Sequence, residues 1–347
     1  SGAAYAVPVL LGMPVAILGL LSSVSPTAAL LFKRVFDVCR AMTHMVLTTE
    51  GSFKKELKKL PDPDLLTKLD RASFQKVNLI LIRHGESEWN GVFNKSSGAK
   101  RIMMIPIWFV QALCKEFIVM LTGGSVFLDS PLNEDGVNQA QALLKFLEGD
   151  GSSNKHVQIM TGKAGKSVVV TSNLRRCIET ATIGLWGRFR DSSDKIILLS
   201  DLQESSRNVD TYSLSQPMGV PPLLTLPLHV NSPAEKLEAL LETAGNAGQK
   251  KIFESGLLRL QRFSAWCFDS PETKGGDVTI IVSGHSLFFR TFFQAYMTRS
   301  VEHEAKKKKI VNGGAVACTF ERGIVDGATV FRIDPATIEV IYGGFGK

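Results

Sequence analysis

Hydrophobic positions along the chain fall into three patterns. Short apolar or β-branched runs, Leu79-Ile80-Leu81-Ile82, Val168-Val169-Val170-Thr171 and Thr279-Ile280-Ile281-Val282, read as strands buried on both sheet faces. Spaced apolar residues with start signals predict helices. Asn133 can cap a helix running through Phe146 and stopping near Gly149, Ser232-Pro233-Ala234-Glu235 has the form of a capping box, and Leu257 to Phe268 is amphipathic. Val316–Phe320, Ala328–Ile333 and Thr337–Tyr342 read as closing strands. Strands alternating with helices predict an α/β fold.

The third pattern is an uncharged N-terminus. No acidic or basic residue occurs from Ser1 to Phe32, and Val9 to Val24 reads VLLGMPVAILGLLSSV, close to bilayer length once its flanks are included. Pro8, Pro14 and Pro26 interrupt it, so two readings stand: a membrane span or re-entrant anchor, and a segment packed on a core or partner. Lys33, Arg34 and Arg40 follow directly, and by the positive-inside rule they would hold the rest of the chain on the cytosolic or organelle-matrix side, a mitochondrial matrix included.

The chain therefore divides into an apolar segment, 1–47, a charged helical linker, 48–74, and a main domain, 75–345, with an insertion at 91–128. In the linker Phe53–Leu60 predicts a basic amphipathic helix, and Pro61-Asp62-Pro63-Asp64 a turn. In the insertion, residues 102–121 read either as an interfacial helix, with Trp108, Phe109 and Phe117 entering a headgroup boundary, or as a cap buried on the core.

Composition narrows the class. A 347-residue chain with 44% hydrophobic content can bury a large core. The five cysteines show no CxxC pair and read as reduced thiols. The net charge of +7 suits an anionic partner, but no basic stripe with interleaved aromatics points to nucleic acid. Lys306–Lys309 reads as a solvated turn, and His44, His156, His229 and His303 as surface groups. Gly162-Lys163-Ala164-Gly165-Lys166-Ser167 imitates the end of a phosphate-binding loop. The helix that such a loop needs does not follow it.

The chemistry sits at strand ends. Arg83-His84-Gly85-Glu86-Ser87-Glu88-Trp89-Asn90 places an arginine and a histidine just past the first buried run, where open α/β sheets collect ligands, and Gly85 would let backbone and ligand approach closely. Val168–Thr171 runs into Ser172-Asn173-Leu174-Arg175-Arg176, putting arginines, whose planar fork suits phosphate, in a first helical turn. Thr279–Val282 delivers His285 and Ser286 in the same way. Packing alone does not call for two histidines, each at the end of an apolar strand.

These segments resemble the histidine phosphatase superfamily, the phosphoglycerate-mutase-like proteins. The resemblance spans roughly residues 75 to 345. It rests on Arg83–Asn90, on Asp129-Ser130-Pro131-Leu132-Asn133-Glu134-Asp135-Gly136 with Gln139-Ala140, on Ser172, Leu174 and Arg176 with Thr180-Ala181, on Leu202 and Glu204, and on Gly284-His285-Ser286. It implies a three-layer sandwich with a mostly parallel sheet and helices on both faces. By that resemblance His84 is the nucleophile, while Arg83, Arg176 and a protonated His285 complete a phosphate pocket to which Asn90, Ser87 and Ser286 add donors. Glu204, buried near an anionic phosphate, would keep its proton and serve as the acid. No metal or cofactor is called for.

True mutases of the family carry Glu-Arg-His-Tyr-Gly at the acid, whereas this chain reads Glu204-Ser205-Ser206-Arg207-Asn208. That departure, with the long insertion, favours a phosphoric monoester hydrolase with a reshaped entrance, acting on a small phosphorylated substrate; the apolar N-terminus would attach it to a membrane. The alternative is a structural subunit of a membrane complex, with little or no catalysis. Ser205 to Pro227 reads as a lid loop near the acid.

Overall fold

The computed structural model describes residues 25–50, 56–69, 74–93, 99–120, 124–274 and 278–346, and over 99–109 the backbone only. An eight-stranded sheet runs β4 (Leu241–Glu242), β3 (Ile196–Leu199), β2 (Lys166–Ser172), β5 (Val278–Gly284), β1 (Gln75–Arg83), β7 (Ala315–Val325) and β8 (Ala328–Ile333), with β9 (Glu339–Tyr342) paired to β7. A separate pair joins β6 (Lys309–Ile310) to β10 (Phe345–Gly346). Pairing is parallel from β4 through β1 and antiparallel from β1 through β8.

The continuous apolar runs become central strands because both sheet faces are covered. Every residue of β5 is buried. Along β1, Val77, Leu79 and Leu81 pack with Leu260, Phe263, Phe288 and Phe292 on one face, while Ile80 and Ile82 pack with Leu143 and Ile178 on the other. Each such side chain contributes roughly 1.5–3 kcal/mol by leaving water. The fold is thus the expected three-layer α/β sandwich.

Six helices matter for the site: α1 (Pro26–Leu47), α2 (Ala99–Met120), α3 (Glu134–Glu148), α4 (Arg175–Gly184), α5 (Gly256–Asp269) and α6 (Ser286–Tyr296). Asn133 caps α3, its side-chain oxygen accepting from the Gly136 N–H at 2.8 Å. The Ser232 segment differs from the expected capping box, since the helix Ala234–Ala239 carries no side-chain cap. In the linker only Glu56 and Leu57 of the expected helix are helical among the described residues, and Pro63–Lys68 forms a 3-10 turn.

The apolar run Ser1–Val24 lies outside the described residues. Among the described residues no helix is long and apolar enough to cross a membrane. Helix α1 opens with Pro26 in its first turn and the Ser25 hydroxyl accepting from Ala28 N, and it lies on the domain. Ala41 packs with Leu128 and Tyr212, and Arg34 pairs with Glu116 at 3.8 Å. His44, expected at the surface, is buried on this helix, and desolvation lowers its pKa to about 4.

Among its described side chains, 110–120, helix α2 docks by one face. Ala112 joins Val92 and Val126, and the Glu116 carboxylate accepts from the Ser125 hydroxyl at 2.8 Å and from Val126 N at 2.5 Å. Glu116 is therefore an internal strut for the returning chain. Val110, Leu113, Phe117 and Ile118 stay exposed. The Trp108 and Phe109 side chains lie outside the described residues. The insertion leaves and returns at one place, where Ser87 bridges Leu132, Glu88 N donates to Pro131 O and Asn133 N donates to Glu86 O.

Candidate active site

Three neighbouring parallel strands, β2, β5 and β1, end at one edge of the sheet, and the residues just beyond them build the site. His84 N donates to Gly284 O at 3.0 Å, and the Asn312 amide donates to His84 O at 3.0 Å, so the histidine backbone is pinned on both sides. Its Nδ1 lies 2.6 Å from Gly85 O. A carbonyl only accepts, so Nδ1 carries the hydrogen and Nε2 keeps the lone pair. Burial, then the Arg176 and Arg83 charges, holds His84 well below the ordinary histidine pKa. The ring is neutral.

Gly85 is required for a reason the sequence did not display. A Cβ there would sit 2.5 Å from Gly136 O, so the close approach is of the chain to itself. Gly85 N also donates to the Thr180 hydroxyl at 3.0 Å, which ties the loop to α4.

The two arginines at the start of α4 divide the work. Arg175 turns into the protein, donating to Ser125 O, to Leu128 O at 2.9 Å and to Asp129 O at 2.7 Å, and so fastens the returning end of the insertion. Arg176 faces the site. It donates to Asp210 O at 2.9 Å and lies 3.6 Å from the Asp210 carboxylate. Opposite stands Arg83, anchored to Ile310 O at 2.8 Å; burial lowers its pKa to about 10, which leaves it cationic at neutral pH.

Glu204 is placed by a buried polar network. After the turn Ser200–Leu202, the Gln203 amide donates to Asn173 Oδ1 at 2.7 Å and accepts from Lys250 N at 3.0 Å. The Lys250 ammonium donates to Glu204 O and to Ser206 O. The Glu204 carboxyl accepts from Ser205 N and Phe288 N, both at 3.0 Å, at the start of α6. Desolvation outweighs Arg176 and these N–H groups, so its pKa lies above the ordinary carboxylate value.

A cavity of about 490 Å³ joins these groups, lined by Arg83, His84, Asn90, Arg176, Glu204 and Ser286, with Asp210, Lys309 and Asn312. His285 and Ser87 stand differently from expectation. The His285 ring centroid is 5.1 Å from that of His84, edge-on, but the ring is fully buried, its Nε2 being 3.0 Å from the Ser172 hydroxyl and 3.3 Å from Cys177 Sγ. Burial, with Arg176 next, holds it well below the usual histidine pKa, so it is neutral instead of protonated. Ser87 is buried outside the cavity, its hydroxyl accepting from Asn90 N at 3.3 Å.

Sequence reading missed Lys309 and Asn312. Lys309 sits in a charged run that resembles a solvated turn, yet its two-residue strand carries it to the cavity rim. The turn-forming Asn312-Gly313-Gly314 was the available sign for Asn312.

No protein-family model matches the chain, and neither does any curated protein. Among solved structures it is similar to a mycobacterial hydrolase, with 17% identity over 78% of this chain and 100% of that one, at a TM-score of 0.38. It is also similar to the mycobacterial glucosyl-3-phosphoglycerate phosphatase, with 16% identity over 74% and 97% of the two chains and a TM-score of 0.35. A third similarity is to the phosphoglycerate mutase from Bacillus anthracis, with 17% identity over 76% and 94% and a TM-score of 0.36. The superfamily likeness of the chain rests on its five motifs.

Proposed function

We propose that this protein is a phosphoric monoester hydrolase working through a phosphohistidine on His84. The observation that carries the reading is the His84 ring, with Nδ1 closed on Gly85 O and Arg83 and Arg176 in the same cavity. Nε2 attacks phosphorus while the bond to the departing alkoxide breaks, and Glu204 gives that oxygen its proton. The two guanidiniums spread over the equatorial oxygens. Water then attacks the phosphohistidine, the Glu204 carboxylate takes its proton, and inorganic phosphate leaves.

Protein quenched during turnover should carry an acid-labile, base-stable phosphate on His84 Nε2, and the His84→Ala variant none. Undiminished turnover by that variant would overturn the assignment. Membrane attachment is the finer part of the proposal, with the catalytic domain on the cytosolic or matrix side. It is supported by the uncharged Ser1–Phe32 run, the lysine and arginines after it, and the outward Phe36, Met42, Phe117 and Ile118.

A further inference from the structure

Helix α1 and the three residues after it cover the loop that carries the acid. Ala41 packs with Leu128 and Tyr212, and the partly buried Val209 and Leu214 complete that cluster. Where the helix ends, Thr48 N donates to His44 O at 2.9 Å and Glu50 N donates to the Thr48 hydroxyl at 3.3 Å. The Glu50 side chain is wholly buried. Gly256, the first residue of α5, leaves room for it. A Cβ there would lie 2.9 Å from Glu50 Oε2 and 3.1 Å from the Ser205 hydroxyl oxygen, so the carboxylate comes up beside the residue next to the acid.

What the carboxylate meets is a pair of cations. Arg259 lies 2.5 Å and Lys250 3.7 Å from the same oxygen, Oε1. Both cations also grip the acid-bearing segment. Arg259 donates to Gln203 O at 3.4 Å, and Lys250 donates to Glu204 O at 2.8 Å, to Ser206 O at 2.7 Å and to the Thr211 hydroxyl at 3.3 Å. Main-chain oxygens on both sides of the acid are thus held by two buried charges. Among the described residues Glu50 is the one carboxylate within ion-pair distance of either. Two like charges shielded from water repel each other and are costly to keep there uncompensated. Without Glu50 one of them must move toward water, or Lys250 must give up its proton, and either change slackens the hold on Glu204.

We infer that Glu50 is a positioning residue for the catalytic acid: acting through Lys250 and Arg259, it sets where the Glu204 carboxyl stands. The catalytic unit therefore begins on α1, ahead of the first strand. The inference rests on the phosphatase reading of the cavity and adds to it a part of the chain that holds none of the groups touching phosphate.

The test uses the full chain and compares kcat/KM for an alkyl phosphate with that for an activated aryl phosphate. A phenolate leaves with little help from an acid, so the alkyl-to-aryl ratio reports on the acid and does not change with the fraction of folded protein. In Glu50→Gln the ratio should fall about tenfold or more, up to the roughly 10²-fold that a displacement of about 1 Å can cost. Glu50→Asp keeps the charge and draws it back by one methylene, so its ratio should fall less; it carries the test if Glu50→Gln does not fold. Glu50→Gln combined with Lys250→Met should lower the ratio by less than the product of the two single losses, because the two residues act in series. A ratio that the Glu50 variants leave unmoved, or losses that simply multiply, would overturn the inference. Hydrogen exchange keeps the two proposals apart. Amides of residues 204–212 should exchange about tenfold faster or more in Glu50→Gln, with β1 and β5 still protected, whether or not turnover occurs. Absence of any hydrolysis by the intact chain would count against the phosphatase reading alone. Unchanged exchange over 204–212, or protection lost across the sheet as well, would count against the positioning role alone.

Discussion

The Lys250 ammonium donates to the main-chain oxygen of Glu204 at 2.8 Å, from a position wholly shielded from water. Its countercharge is Glu50, which also pairs with Arg259 at 2.5 Å. A residue from the N-terminal part of the chain thus helps to hold the acid-bearing loop.

Replacing Lys250 by Met removes the clamp on Glu204 and Ser206 while leaving the phosphoryl cavity lined as before. Misplacing an acid by about 1 Å can cost up to about 10²-fold. The loss should fall on alkyl phosphates, and an activated aryl phosphate should lose much less. Equal losses on the two would reduce Lys250 to a purely structural role.

Glu204→Gln should behave in the same sense but more severely, with losses of about 10²- to 10⁴-fold on alkyl phosphates. Because burial raises the Glu204 pKa, the acid form persists at pH values where an ordinary carboxylate is ionised, and it is lost as pH rises through the raised value. Alkyl phosphate turnover should therefore fall on the alkaline side, a limb that the Gln variant should lack. If the limb survives in the variant, Asp210 becomes the better acid.

Stability should carry a separate pH signature from Glu179, fully buried under the returning chain, where it accepts from Leu132 N at 2.8 Å. Desolvation raises its pKa from 4.5 to about 7. The folded state keeps this proton when the unfolded state has released it. The resulting stabilisation is fully present below the unfolded value and drains away as pH climbs through about 7, by up to about 1.4 kcal/mol per pH unit. Glu179→Gln retains an acceptor for Leu132 N. Denaturant titrations between those pH values should show a flatter profile for the variant, and identical slopes would sink the assignment.

Attachment can be tested with the full chain, which should sediment with membranes and resist salt or alkaline extraction. Charge placed on α2, as in Phe117→Glu with Ile118→Glu, should weaken association if α2 also meets the interface. A full chain that remains in the supernatant without detergent would refute the anchor.

The strands and the residues at their tips were legible because fully buried strands write continuous apolar runs, and because the residues after β1, β2 and β5 are adjacent in sequence to those runs. What the sequence concealed depends on contacts between distant segments. Nothing local distinguishes Arg175 from Arg176; only the returning loop at Ser125–Asp129 decides which one turns inward. Ser87 looked like an anion donor because hydroxyls serve caps and anions equally well. His285 was read as protonated because its full burial beside Arg176 cannot be seen from its neighbours in the chain. Lys309 was hidden by a run of lysines of which it alone reaches the catalytic cavity.

The insertion hangs from a narrow neck. Glu86, Ser87 and Glu88 on the outgoing side meet Pro131, Leu132 and Asn133 on the incoming side, and the neck is set against the contact between Gly85 and Gly136. Such a neck behaves as a socket: lengthening what is plugged into it need not transmit force to the histidine, because the junction is closed by its own hydrogen bonds and Arg175 fastens the returning end at Ser125–Asp129. Accessory sequence can then diversify at this one port, changing what surrounds the cavity, while His84 and Arg83 a few residues away stay as they were.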